Sequence, residues 1–221
     1  MAKKGFIVLV VVCALLLLWM GGRATHVFET YIVPTDSNLP TMKPGTRVMA
    51  SSLVKPDYGK FVCFKQPNEN VWLFRCIGKP GDMVEIRDSH VFLNGKELNE
   101  PYAYNDYFIT NKQLDSIRGY VAQYNYPVKP YNDSLQVISF TDAEFKTYHL
   151  HLNRYFEKKG VVNKQAFGSF QMLNYNEDNM GPLKVPANSY FLLGDNRHDA
   201  MDSRYLGFIS KDDIISTVIN Y

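Results

Sequence analysis

An uncharged run from Gly5 to Gly22 limits what this chain can be more than any other feature. As a helix rising 1.5 Å per residue it would span ~27 Å, close to the hydrocarbon thickness of a bilayer. A cleaved signal peptide is the alternative. The flanking Gly21-Gly22-Arg23-Ala24 offers no clean small-x-small cleavage site, so a retained anchor is expected. Lys3 and Lys4 precede the run and favour a cytoplasmic N-terminus. The expected layout is a cytoplasmic tail at 1–4, a transmembrane anchor at 5–22, and the rest beyond the membrane. This describes a single-pass protein of the cytoplasmic (inner) membrane with an extracytoplasmic domain, and the lipid bilayer as its first partner.

Outside the anchor there is sequence for about one domain. A hydrophobic fraction of 46%, with 14 Phe and 15 Tyr, is enough for a packed core. The net charge of +2 provides no basic face, so no nucleic-acid partner is expected. Of the 3 cysteines, Cys13 sits in the anchor. Cys63 and Cys76 flank an expected hairpin, and would pair or stay as buried thiols, the second being preferred. There is no Cys/His spacing of the metal-binding kind, so neither a metal nor a cofactor is expected.

From Arg47 onward the texture is β. Residues 47–54, 60–65, 71–77, 83–87 and 90–93 are rich in strand formers or alternate in polarity, and 188–193 and 214–219 resume the pattern. Turn signals separate them at Gln66–Asn70, Asp88-Ser89 and Asn94-Gly95. Residues 23–100 and 181–221 therefore read as a β core. Residues 101–180 differ, being dense in Tyr, Asn, Gln and Lys, and read as an insertion or cap. Thr141-Asp-Ala-Glu144 has capping-box spacing, and Phe145, Tyr148, Leu152, Tyr155 and Phe156 follow at helical period toward Gly160. Leu114, Ile117, Val121 and Tyr124 suggest a weaker helix. His149 and His151 are two apart and would face different sides of such a helix, which argues against a metal pair.

Just past the anchor, Ser37 stands between Pro34 and Pro40. Each proline fixes φ and removes a backbone donor, and each pushes its predecessor toward extended geometry. A serine on such a stiff loop near a membrane is either a nucleophile or part of a Pro-rich linker.

Several segments together resemble the membrane-anchored type I signal peptidases, serine peptidases that remove signal peptides from exported proteins. Their serine segment reads roughly Pro-Ser-Gly-Ser-Met-x-Pro-Thr-Leu, and Pro34-Thr35-Asp36-Ser37-Asn38-Leu39-Pro40-Thr41-Met42 matches it in spacing. Arg75-Cys-Ile-Gly78-Lys79-Pro80-Gly81-Asp82 resembles the family's Lys-Arg-x-x-Gly-x-Pro-Gly-Asp. Gly194-Asp195-Asn196-Arg197 followed by Asp202-Ser203-Arg204 resembles its final box. The resemblance implies a mainly antiparallel β fold with one N-terminal transmembrane helix and a partly helical insertion. It also implies a serine nucleophile, a neutral lysine as general base, and an oxyanion held by a hydroxyl and a backbone amide.

Transferred residue by residue, the resemblance makes Ser37 the nucleophile position and Thr35 with the Ser37 amide the oxyanion donors. The lysine position is Phe74, and the serine that would orient that lysine is Ala200. Both the base and its hydrogen-bond partner are therefore lost. Asp36 replaces a glycine, placing a carboxylate beside the oxyanion position and a side chain where glycine's backbone freedom was used. General-base catalysis contributes ~10²–10⁴-fold, and removing one member of a set that acts as a unit can cost ~10⁶-fold. His198 is the substitute base to consider, since imidazole is competent near neutral pH. Lys79 lies across a turn, and Arg75 points to the other strand face and stays charged. Asp195, Arg197, Asp202 and Arg204 are expected to brace the loop.

Three functions follow. The first is a family member with absent or strongly reduced activity that binds signal peptides of exported proteins or partners an active paralogue. The second is an active peptidase using His198. The third is a non-catalytic, membrane-tethered interaction domain.

Overall fold

The structure is a computed structural model and describes residues 2–24, 27–148, 151–162 and 175–221. In chain order its elements are α1 (Ala2–Ala24), β1 (Glu29–Ile32), β2 (Arg47–Ser51), β3 (Phe61–Lys65), β4 (Val71–Gly78), β5 (Met83–Arg87), β6 (His90–Leu93), β7 (Lys96–Glu97), β8 (Asn105–Thr110), α2 (Asn111–Ser116), α3 (Arg118–Tyr124), β9 (Val128–Pro130), β10 (Leu135–Phe140), α4 (Asp142–Thr147), β11 (Asn153–Arg154), β12 (Met180–Lys184), β13 (Ser189–Leu193), α5 (Ser203–Leu206), β14 (Ile209–Ser210) and β15 (Ile214–Asn220).

Within α1, Lys4–Gly21 is long and apolar enough to cross a membrane. The named strands all pair antiparallel. They form a 7-stranded sheet ordered β1-β2-β15-β3-β4-β13-β14 and two 4-stranded sheets, β12-β5-β6-β7 and β11-β8-β10-β9. The turns expected at Asp88-Ser89 and Asn94-Gly95 form with positive φ at both central residues (48° and 66°; 54° and 80°). That is the geometry whose twist matches a two-residue hairpin.

The core lies where the sheets face one another. Ile77 on β4 and Phe191 and Leu193 on β13 pack against Val84, Ile86 and Val91 of the second sheet. β12 and β5 pass so close that a Cβ on Gly181 would lie 2.6 Å from the Val84 carbonyl oxygen. The last strand, β15, inserts between β2 and β3, so that Thr217 faces both Ser51 and Val62. Closing the main sheet in this way joins residues more than 150 positions apart.

Two expectations are corrected. The helix expected from Thr141 toward Gly160 stops at Thr147, although its capping box forms as expected between Thr141 and Glu144. Asn153 and Arg154 instead pair with Phe108 and Tyr107 on β8. Pairing with an open sheet edge overrides the helical period there, and Gly160, at φ 94°, occupies a turn. His149 lies outside the described residues. The weaker helix is two short ones, α2 and α3, broken at the buried Ile117. Residues 105–154 thus combine a 4-stranded sheet with the short helices α2, α3 and α4, around their own core of Tyr107, Ile109, Tyr126, Ile138 and Phe140.

Candidate active site

Ser37 sits in a single turn of 3-10 helix, Asp36–Asn38, with extended residues at both ends. The prolines explain why the turn stops: they forbid a continuing ladder and hold Leu39 at φ −62°, ψ 149°. The site tolerates Asp36 in place of glycine, because Asp36 lies in the helical turn and is not among the residues at positive φ. Asp36 is exposed to solvent.

The turn is fastened from below and behind. The Asn38 side-chain amide donates to the Leu73 carbonyl on β4 at 2.8 Å. The Asn196 N–H donates to the Ser37 carbonyl at 3.0 Å, and its side chain donates to that of Asp36 at 3.2 Å. The Ser37 hydroxyl donates to the Asp199 main-chain carbonyl at 3.0 Å and accepts a long contact, 3.3 Å, from the Thr35 hydroxyl. Thr35 and Ser37 therefore lie side by side. The Ser37 N–H opens the turn and has no partner within it.

The position where the family resemblance leads one to expect the base is apolar. Phe74 is 4% exposed and Ala200 5%, and they share a cluster with Val62, Phe64, Cys76, Leu192 and Ile209. Phe74 packs its ring on Phe64 and edge-on to Trp72. The convergence is tight at Gly194. A Cβ there would lie 2.4 Å from Ala200 Cβ, 2.6 Å from the Ser37 carbonyl oxygen and 3.3 Å from Phe74 Cε1. Phe74 and Ala200 thus close on the ground that a lysine and its hydroxyl partner would need. Among the described residues, no lysine or histidine nitrogen hydrogen-bonds Ser37.

His198, the substitute base considered from the sequence, has a buried side chain between two carboxylates. Its side chain is 5% exposed, with Nε2 2.9 Å from Asp178 and Nδ1 3.5 Å from Asp106. Burial opposes its charge, but the Asp178 hydrogen bond and the two carboxylates outweigh this and raise its pKa. Its Nε2 is taken up by Asp178, and the Ser37 hydroxyl points instead at the Asp199 carbonyl. Lys79 is bound to Asp57 at the surface.

The loop residues form buried ion pairs. Arg75 grips Asp195 through Nε at 2.7 Å and a terminal nitrogen at 2.5 Å, while Thr41 also donates to Asp195. The Arg75 guanidinium lies between the Phe61 and Tyr102 rings, 4.2 and 3.9 Å from their centroids. Arg197 binds both oxygens of Glu100. Asp202 accepts from Arg204 and from the Gly194 N–H. These contacts hold the 194–204 segment over the Ser37 turn.

In front of Ser37 lies a groove of about 380 Å³, lined among others by Tyr31, Val33, Leu73, Phe74, Trp72 and Met201. Sequence reasoning did not single out Asn38, Asn196, Trp72 or Met201. Only the offsets of Asn38 from Ser37 and of Asn196 within the Gly-Asp-Asn-Arg box hinted at the first two. Trp72 and Met201 carry no local signal.

A serine on a proline-braced turn thus faces a groove on a scaffold of antiparallel sheets. The family model for signal peptidase, peptidase S26, matches residues 4–220, and the chain belongs to this family. It is 29% identical over 217 residues to signal peptidase I P of Bacillus subtilis subsp. natto, covering 96% of this chain and 82% of that one. Signal peptidase I S of Bacillus subtilis (strain 168) is similar at 29% over 216 residues, with the same 96% and 82% coverage. A crystal structure of a signal peptidase I from Enterococcus faecalis covers 76% of this chain and 98% of that chain, at 23% identity and a TM-score of 0.39.

Proposed function

We propose that this protein is a signal-peptidase relative that retains the groove for extended segments of exported proteins and has lost most or all of its power to cut them. One observation carries this reading: Phe74 and Ala200 pack together beside the Ser37 turn within an apolar cluster. A serine hydroxyl without a base is a poor nucleophile. The remaining machinery supports binding without cleavage: the turn is hydrogen-bonded on both sides, the loop is ion-paired, and the groove is open. The α1 segment serves as a single-pass anchor in the inner membrane, with the β domain on the extracytoplasmic side. There it meets signal peptides, alone or beside an active paralogue.

The test uses the full-length protein in proteoliposomes with a precursor carrying a signal peptide. A photo-crosslinker at Trp72 or Met201 is expected to capture the precursor, with no cleavage above that of Ser37→Ala. Cleavage that depends on Ser37 would overturn the loss of activity. Failure of both crosslinkers to capture precursor would overturn the binding role.

A further inference from the structure

His198 connects three parts of the chain that are far apart in sequence. Its own turn, Arg197–Asp199, supplies the carbonyl that holds the Ser37 hydroxyl. Its Nε2 reaches Asp178, just ahead of β12, and its Nδ1 faces Asp106 on β8 of the smaller sheet. The Tyr155 ring flanks the imidazole at 5.7 Å, edge to face. Both acceptors are held in place. Asp178 receives the Ser89 hydroxyl and, at 2.7 Å, the Glu157 N–H. Asp106 receives the Ser139 hydroxyl at 2.5 Å.

The groups facing this imidazole are mostly acidic. Asp178 and Glu177 approach from the segment before β12, Asp106 from β8, and Glu157 from the segment after β11. Glu177 accepts from Tyr205 and adds to the negative field. The neighbouring cations already have partners: Arg197 binds Glu100, and Arg204 binds Asp202. A hollow beside Asp178 is also lined by Arg197 and Arg204, whose charges disfavour a metal ion there. Nδ1 is buried without a hydrogen-bond partner, and the Asp106 carboxylate 3.5 Å away is the acceptor it faces, so the environment suits a ring that carries a proton on both nitrogens.

We propose that His198 is a proton-operated latch: as an imidazolium bridging Asp106 and Asp178 it ties the turn beneath Ser37 to the smaller sheet, and loss of its proton frees that turn. A neutral ring can donate from only one nitrogen, leaving one carboxylate buried without its counter-charge. The latch is fully closed below the pKa of an unfolded histidine and opens as pH rises through the raised value in the folded protein. On the acid side, burial pulls Asp178 upward but His198 outweighs it, so Asp178 stays below the usual carboxylate value and opens the latch only as pH falls past that point.

Hydrogen exchange of the full-length protein in detergent micelles tests this between about pH 5.5 and 9. After correction for intrinsic rates, amides of 195–199 and 105–108 are expected to lose about ten-fold protection at the alkaline end. His198→Gln is expected to show the low protection at every pH. Protection that stays constant in the wild type, or the same pH response in His198→Gln, would overturn the latch. Should that variant fail to fold, the ring is read directly. Among the 5 histidines, changing His26, His90, His149 and His151 to Gln leaves one imidazole signal for NMR. A midpoint above about 6.5 supports the latch, and one at or below it overturns it.

Discussion

The Ser37 hydroxyl gives its hydrogen to the main-chain carbonyl of Asp199 at 3.0 Å. In a working hydrolase that hydrogen points at a base able to accept it in the transition state. A peptide carbonyl cannot take up a proton at neutral pH, so the bond holds the hydroxyl without activating it. A fluorophosphonate probe is expected to label the wild type no faster than Ser37→Ala. Labelling that requires Ser37 would show that it has found a base.

Installing a lysine base beside Ser37 takes two changes. Phe74→Lys alone puts an ammonium into the cluster of Phe64, Trp72 and Ala200, and loses aromatic packing at a cost of about 3 kcal/mol. Ala200→Ser alone adds a buried hydroxyl without a partner, costing ~1–3 kcal/mol. Together each supplies the other's partner. The double variant is expected to be more stable than the sum of the singles, and to show Ser37-dependent precursor cleavage at least ~10²-fold above wild type. Thermal unfolding and a gel-based cleavage assay read the two effects.

Gly194 is where the turn, Phe74 and Ala200 meet. Gly194→Ala places a methyl group 2.4 Å from Ala200 Cβ and 2.6 Å from the Ser37 carbonyl oxygen, neither of which is the flexible end of a side chain. Overpacking of this kind costs ~1–3 kcal/mol, a fall of roughly 2–12 °C in Tm for a chain of this size. An unchanged Tm would mean that the Ser37 turn yields easily.

Arg75 and Asp195 are 5% and 0% exposed, and each is the other's counter-ion. Arg75→Met leaves a buried carboxylate unpaired and is expected to destabilise by ~3–5 kcal/mol. Arg75→Met with Asp195→Asn removes both charges and should recover part of that loss. Denaturant unfolding of the single and double variants measures the coupling.

Cys63 and Cys76 are both free and fully buried. Burial pushes each thiol up to about 12. Neither is a thiolate near neutral pH, so maleimide is expected to leave both unmodified in the folded protein at about pH 8 and to react with both after denaturation. Mass spectrometry of the trapped peptides distinguishes the two states.

Much of the β core was legible from local pattern. Alternation at 83–87 and 90–93 and the Asn-Gly turn specify hairpins through contacts between residues close in sequence. The Thr141–Glu144 capping box was legible for the same reason. The length of the helix that follows was not, because β11 depends on an open edge at β8 more than 40 residues earlier. The strand β12 was missed too: Gly181 and Pro182 argue against a strand until β5 lies alongside.

The sequence by itself determined the apolar N-terminal helix, the family, the Pro-braced serine turn, and the presence of Phe74 and Ala200 at the positions where the family resemblance leads one to expect a lysine and a serine. All of these are matters of which side chain stands at a motif position. Tertiary structure alone decided what surrounds them. It brought Phe74, Ala200 and the Ser37 carbonyl together over Gly194, and paired Arg75 with Asp195 across 120 positions of sequence. It also buried His198 between Asp106 and Asp178. A protonation state, like a packed void, belongs to the neighbours a group meets in space, and those neighbours come from segments that no local pattern links.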